Sequence, residues 1–234
     1  MSVGTYNEST RVAWIVQTLR QIPAGARLLD AGAGERQFAQ YCGHLRYVAQ
    51  DFAQYDGQGD GVGLQTGSWD QSKLDIVSDI AAIPEPDGSF DAIMCTEVFE
   101  HIPHPVQALA EFARLLRPGG HLLITAPFCS LTHFAPYHFY TGFSRYFYEH
   151  YLPRYGFAIL DFQLNGNYFE YIAQELRRVP RAAEQYAGGR LRLWERVARR
   201  VLLSALQRLS AADTGSAALL CFGCHVFAQK RAEG

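Results

Sequence analysis

Asp30, Gly32 and Gly34 close the segment Arg27-Leu28-Leu29-Asp30-Ala31-Gly32-Ala33-Gly34, in which a short apolar run meets a carboxylate and two glycines one residue apart. A run this short and apolar reads as a central parallel strand. Glycines just past its carboxyl end let the backbone turn sharply and let a ligand approach the main chain. Asp51 follows Gly32 by 19 residues, at the end of a second apolar run, Tyr47-Val48-Ala49. That spacing suits a carboxylate that accepts hydrogen bonds from ribose hydroxyls. A dinucleotide fingerprint has a third glycine three residues after the second, and Gln37 stands there instead. Asp30, just before the loop, is where a nucleotide carrying an amino-acid tail would place its ammonium group. Glu35 to Tyr41 are expected to start a helix behind the loop.

The elements that would position these residues recur along the chain. Asp75-Ile76-Val77-Ser78-Asp79-Ile80 reads as a short strand ending in Asp79, and Phe90 to Cys95 as a fourth strand running into Thr96-Glu97. An amphipathic helix is expected from Pro105 to Leu116, closed by Arg117-Pro118-Gly119-Gly120, with a fifth strand from His121 to Ala126. With these residues in this order, the chain resembles the class I S-adenosylmethionine-dependent methyltransferases, in the small-molecule branch that includes enzymes of glycan and polysaccharide gene clusters. The motifs that carry the resemblance are LLDAGAGE (28–35), Asp51, Asp79-Ile80, FDAIMCTEVFEHI (90–102) and LLRPGGHLLITAP (115–127), which together cover about residues 25–165.

The resemblance implies S-adenosyl-L-methionine as cofactor and a role for each matching residue. Asp30, Gly32 and Gly34 would form the loop around its methionine part. Asp51 would bind the ribose with Phe52 beside the adenine, and Asp79 would meet the adenine amino group with the Ile80 backbone nearby. Thr96 and Glu97 would line the pocket near the sulfonium. His101 and His104 are interrupted by Pro103, so no metal site is expected from that pair.

After the fifth strand comes Pro127 to Thr141, dense in aromatics and broken by Pro127 and Pro136, so it is no ordinary buried strand. It stands where an acceptor pocket would form, since ligands of open α/β sheets sit at the carboxyl ends of the strands. Methyl transfer to a hydroxyl requires removal of its proton, and a histidine suits that task. His133 is the first candidate base and His138 the second. Methyltransferases of this kind tend to have an aspartate where His138 stands.

The whole chain has 234 residues, 48% of them hydrophobic, and a formal charge of −2. It fits one α/β domain with a helical elaboration, and the near balance of charge implies no bulk attraction to nucleic acid. The start of the sequence lacks a basic region followed by an apolar one, no run reaches the length of a membrane span, and five cysteines lack framework spacing; a cytoplasmic location is expected. Cys221 and Cys224 fall in what reads as a long last strand, Ala217 to Ala228, where residues three apart face opposite ways. They are read as small packing residues.

The expected fold is a Rossmann-like seven-stranded sheet with helices on both faces and an antiparallel last strand. Residues 1–165 and 216–234 would make the cofactor-binding domain, with a helical insertion at 166–215. That insertion is basic. Residues 1–173 carry a net −8 and residues 174–234 a net +6, with Arg177, Arg178, Arg181, Arg190, Arg192, Arg196, Arg199, Arg200 and Arg208 in the helical segment. A solvated basic face is the plain reading; contact with an anionic surface or a homodimer partner is the sharper one. The function read from these features is methyl transfer to a small-molecule acceptor, a hydroxyl of a sugar, glycan or related metabolite. An N-methyltransferase of a small amine, a nicotinamide-dependent oxidoreductase and a non-catalytic binding subunit are the alternatives.

Overall fold

The computed structural model describes residues 2–232. In chain order the elements are α1 (Asn7–Leu19), β1 (Arg27–Ala31), β2 (Arg46–Asp51), β3 (Ile76–Val77), β4 (Phe90–Thr96), α2 (Pro105–Leu115), β5 (Leu116–Pro127), α3 (Arg145–Tyr151), β6 (Phe157–Asn165), α4 (Tyr168–Tyr186), α5 (Leu193–Ala211) and β7 (Gly223–Lys230). The strands form one seven-stranded sheet in the order β3-β2-β1-β4-β5-β7-β6. Strands β1 to β5 pair in parallel, and β7 runs antiparallel to β5 with Ile124 opposite Val226.

The central strands are apolar on both faces because helices or loops cover both sides. Leu28 and Leu29 of β1, Ile93 and Met94 of β4, and Leu122 and Ile124 of β5 are all buried. Helix α2 starts at Pro105, whose missing N–H costs nothing at the first helical position. It buries Ala108, Leu109, Phe112 and Leu115, a spacing that keeps one stripe against the sheet. The chain runs outward from β1 through β2 to β3, then returns to lay β4 on the other side of β1. That reversal opens a crevice at the carboxyl ends of β1 and β4, where ligands of such sheets bind.

Four local expectations change, the first being that the fifth strand starts at Leu116 and takes in Arg117 to Gly120 instead of beginning at His121. No α-helix follows the glycine loop; residues 32–38 are turns and only Ala39–Tyr41 makes a short 3-10 helix. Gly34 and Arg36 both sit at positive φ, +51° and +60°, which a right-handed helix cannot include. The third strand is only Ile76–Val77, since beyond it Asp79 turns back to accept the N–H of Ala81 at 2.8 Å. The last strand begins at Gly223 rather than Ala217, because Ser216–Ala218 is a 3-10 turn after Gly215 at φ +148°. Cys221 therefore precedes the strand, and it and Cys224 are both buried.

The chain divides into two compact units. One comprises Ala13–Gln163 with the segment from Gly223 onward, and holds the sheet; the other comprises the residues up to Val12 with Leu164–Phe222. Within the second, Asn167 caps α4 by accepting the N–H of Glu170 at 3.0 Å, and the buried Glu170 accepts the hydroxyl of Ser210 at 2.6 Å. Gly188 and Gly189 fall in the break between α4 and α5. Helix α5 buries none of its residues, and Trp194 and Val201 stand 64% and 63% exposed beside the arginines.

Candidate active site

A cavity of about 510 Å³ opens at the crevice between β1 and β4. Gly32 of the glycine loop lines it. Gly32, at φ +79°, lies so close to Val98 that a β-carbon there would stand 2.5 Å from a valine methyl. Any side chain at this position would fill the crevice and carry backbone strain. Gly34 is held by its own N–H, which donates to Asp51 Oδ2 at 2.9 Å, and a β-carbon there would press on the Trp69 ring at 3.0 Å.

The acidic residues divide by environment. Asp51, at the end of β2, is buried and lines the cavity. Its Oδ1 also accepts the N–H of Ala53 at 3.0 Å, so both oxygens are fixed by backbone donors and their remaining lone pairs are free to take hydroxyls. Phe52 lines the cavity beside it and meets Tyr137 edge-on at 5.0 Å. Asp79 and Ile80 form the next stretch of wall, with Asp79 exposed and Ile80 buried. Asp30 does not line the cavity. It is buried beneath the loop and accepts the Tyr47 hydroxyl. Burial pushes its carboxyl up to about 7, against the opposing effect of the Tyr47 bond.

At the end of β4, Thr96 is buried in register with Thr125, while the next residue, Glu97, lines the cavity. Glu97 sits at φ +54°, an uncommon conformation for a glutamate, and is held there from both ends. Its N–H donates to the Thr125 carbonyl at 2.8 Å and its Oε1 accepts the Thr125 hydroxyl at 2.9 Å.

The aromatic segment after β5 lines the same cavity through Phe134, Tyr137 and Phe139. A glycine-alternating loop, Gly57 to Gly63, holds it in place. Leu64 N–H donates to the Thr132 carbonyl at 3.1 Å, and Phe134 N–H returns to Leu64 at 3.0 Å. Two of the glycines make this approach: β-carbons at Gly59 and Gly63 would lie 1.9 Å from the Ala135 carbonyl oxygen and 2.4 Å from that of Thr132. Phe134 stacks on Tyr55 at 4.8 Å and on His101 at 4.9 Å.

Sequence reasoning brought forward His133 and His138; the structure adds Glu100 and His101 beside them. Neither His133 nor His138 lines the cavity, whereas His101 does. His133 Nε2 and His101 Nε2 each lie 3.7 Å from Glu100 Oε1, and His138 Nε2 lies 3.2 Å from the Ser130 hydroxyl. Burial raises the Glu100 carboxyl. Burial lowers His133, but the adjacent Glu100 carboxylate outweighs it and leaves His133 raised. Burial and the nearby His133 lower both His101, to about 3, and His138. Glu100 lay unremarked inside the FDAIMCTEVFEHI motif. The loop 57–67 was equally unremarked, although four glycines at alternate positions are visible there.

A methyltransferase-domain family model matches residues 6–181. A ubiquinone biosynthesis O-methyltransferase from Xanthomonas oryzae pv. oryzae is 36% identical over 105 residues, 44% of this chain and 43% of that enzyme. One from Marinobacter nauticus is 32% identical over 63 residues, 27% of this chain and 26% of its own length. The chain thus aligns with less than half the length of these curated relatives. Among solved structures, a putative sarcosine dimethylglycine methyltransferase from Galdieria sulphuraria shares the fold with a TM-score of 0.55 and 15% identity over 95% of this chain and 84% of that one. The [4+2]-cyclase SpnF does so at 0.53 and 19%, over 95% and 81%. With the family match spanning most of the chain, and the glycine loop, crevice and sheet order all in place, the protein belongs to the class I S-adenosylmethionine-dependent methyltransferases.

Proposed function

We propose that the protein transfers the methyl group of S-adenosylmethionine to a hydroxyl of a small cyclic metabolite. The observation that carries this reading is that two chemically different sets of residues line one cavity. Gly32, Asp51, Phe52 and Asp79 form one set, with acceptors suited to ribose hydroxyls and an adenine amino group. Phe134, Tyr137 and Phe139 form the other, with flat faces suited to a ring. Asp30, Gly34 and Thr96 would support the first set from beneath rather than touch the ligand.

The turn after β1 supports this cofactor over a dinucleotide. With no helix behind the glycines, there is no helix N-terminus to receive a pyrophosphate. A fold of this type does not by itself set the reaction, as the cyclase neighbour illustrates. The oxygen acceptor is favoured by the curated relatives, whose name is that of an O-methyltransferase of ubiquinone biosynthesis. In the transfer, a bond forms between acceptor oxygen and methyl carbon as the carbon–sulfur bond breaks. The sulfonium charge is neutralised and the acceptor releases its proton. His138, whose ring lies 4.9 Å from that of His133, is the side chain proposed to receive it. Orientation within the cavity supplies much of the remaining rate.

The test is a panel of phenols, sugars and amines incubated with the protein and S-adenosylmethionine, read by mass spectrometry for gain of one methyl group. Methylation of ring hydroxyls is expected. Methyl gain on amines alone would overturn the oxygen assignment. Cofactor binding with no product across the panel, and no turnover in an extract of hydroxylated metabolites, would favour a binding subunit.

A further inference from the structure

Glu100 is fully buried, and neither of its carboxylate oxygens has a hydrogen-bond partner. An unpaired buried carboxylate is costly and calls for an explanation. Two imidazoles face it. The Nδ1 of His101 lies 2.6 Å from the Tyr137 carbonyl, and the Nδ1 of His133 lies 2.8 Å from the Leu131 carbonyl. A carbonyl only accepts, so both Nδ1 atoms must carry the hydrogen. In the neutral rings each Nε2 then presents a lone pair, 3.7 Å from Glu100 Oε1. His101 Nε2 has no hydrogen-bond partner either.

With both rings neutral, three ligand atoms converge without a donor, all within 4.8 Å of one another; a proton on His133 Nε2 would instead pair that ring with Glu100. The two contacts of 3.7 Å are longer than a charge-assisted hydrogen bond, about 2.7–2.9 Å. They are close to the roughly 3.3–3.4 Å that separates two ligands of a tetrahedral ion bound at about 2.0–2.1 Å. Backbone carbonyls on both Nδ1 atoms are the outer contacts that orient metal-binding histidines. The two histidines come from different segments. His101 follows β4, and His133 belongs to the aromatic loop that Gly59 and Gly63 hold in place.

We propose that Glu100, His101 and His133 form a binding site for a divalent transition-metal ion. Two imidazoles and one carboxylate suit zinc, which takes three protein ligands of this kind and keeps a fourth position open. Two nitrogen donors disfavour magnesium and calcium, which take oxygen. His101 also lines the cavity, so the open position would serve an oxygen-bearing ligand on the aromatic side. The site is defined without reference to methyl transfer, and its test needs neither cofactor nor acceptor.

The experiment is calorimetric titration of chelator-treated full-length protein with zinc, with bound metal counted by mass spectrometry after dialysis. Cobalt substitution adds a visible spectrum that reports coordination. One equivalent per chain is expected, with a rise in Tm as metal is added. Glu100→Gln should weaken binding by about 100-fold or more, beyond the range for loss of an outer contact. His133→Ala should act in the same direction on binding, while His150→Asn on the exposed face of α3 should leave it unchanged. Absence of stoichiometric zinc or cobalt binding by the folded wild-type protein would overturn the proposal. So would undiminished binding in both Glu100→Gln and His133→Ala. The wild-type titration decides the matter even if a variant does not fold.

Discussion

Asp30→Asn should change the pH dependence of stability far more than it changes stability at pH 5. Asp30 is buried under the glycine loop, and its carboxyl is raised from an ordinary 3.8 to about 7. The folded state therefore keeps the proton over a range in which the unfolded chain has lost it. More protons bound in the folded state means that stability falls as pH rises through this range, then levels off above about 7. Each unit of difference is worth about 1.4 kcal/mol, so linkage between pH 5 and pH 8 amounts to about 2–3 kcal/mol from this one group. Asparagine has the same shape and can still accept the Tyr47 hydroxyl, but it does not titrate. Urea denaturation at pH 5 and pH 8 measures the difference. The wild-type protein should lose about 2–3 kcal/mol relative to the variant between the two conditions. Parallel pH profiles, within about 0.5 kcal/mol, would refute the reasoning, because Asp30 would then be as ionised in the folded protein as in the unfolded chain.

Other perturbations test the remaining parts. Gly63→Ala sets a β-carbon against the Thr132 carbonyl at positive φ, so it should cost about 1–3 kcal/mol in chemical denaturation and weaken acceptor more than cofactor binding in calorimetry. His138→Ala should reduce turnover in the methyl-transfer assay and leave cofactor affinity unchanged, since its ring is apart from the wall formed by Asp51 and Asp79. Replacing Trp194 and Val201 of α5 by Ser should shift stability by no more than about 0.5 kcal/mol per site, because both are largely exposed. If the arginines of this helix meet an anionic surface, as we propose, Arg192, Arg196 and Arg199 changed together to Gln should abolish sedimentation with anionic vesicles, and salt should do the same to the wild-type chain.

The sheet was legible because its signals are local. LLDAGAG, FDAIMCT and HLLITA are each apolar runs ending in residues that turn the chain, and each became a strand of the parallel core. Asp51 was legible from its distance to Gly32, and it lines the cavity. The helix expected after the loop failed because amphipathic composition does not reveal that Arg36 adopts a positive φ. The early start assigned to the last strand failed for a similar reason, since Ala217 to Phe222 is apolar enough for a strand but Gly215 turns the chain first. Glu100 was not legible at all. Its contact with His133 depends on a loop more than thirty residues away, and that loop depends in turn on a glycine segment between β2 and β3.

The central claim is that the cavity between β1 and β4 holds S-adenosylmethionine through Asp51 and Asp79. Asp51→Ala would also release the Gly34 and Ala53 amides, so a loss of binding there would mix ligand contact with loop disorder. Asp79→Asn separates the two, because asparagine keeps the oxygen that accepts the Ala81 N–H and replaces only the other acceptor. Calorimetry with S-adenosylhomocysteine should show binding to the wild-type protein and none for a nicotinamide dinucleotide. A hydrogen bond to a charged group is worth about 1.5–3 kcal/mol, so Asp79→Asn should weaken the dissociation constant by about tenfold or more at unchanged Tm. No binding by the folded wild-type chain, or an equal dissociation constant in the variant, would contradict the account.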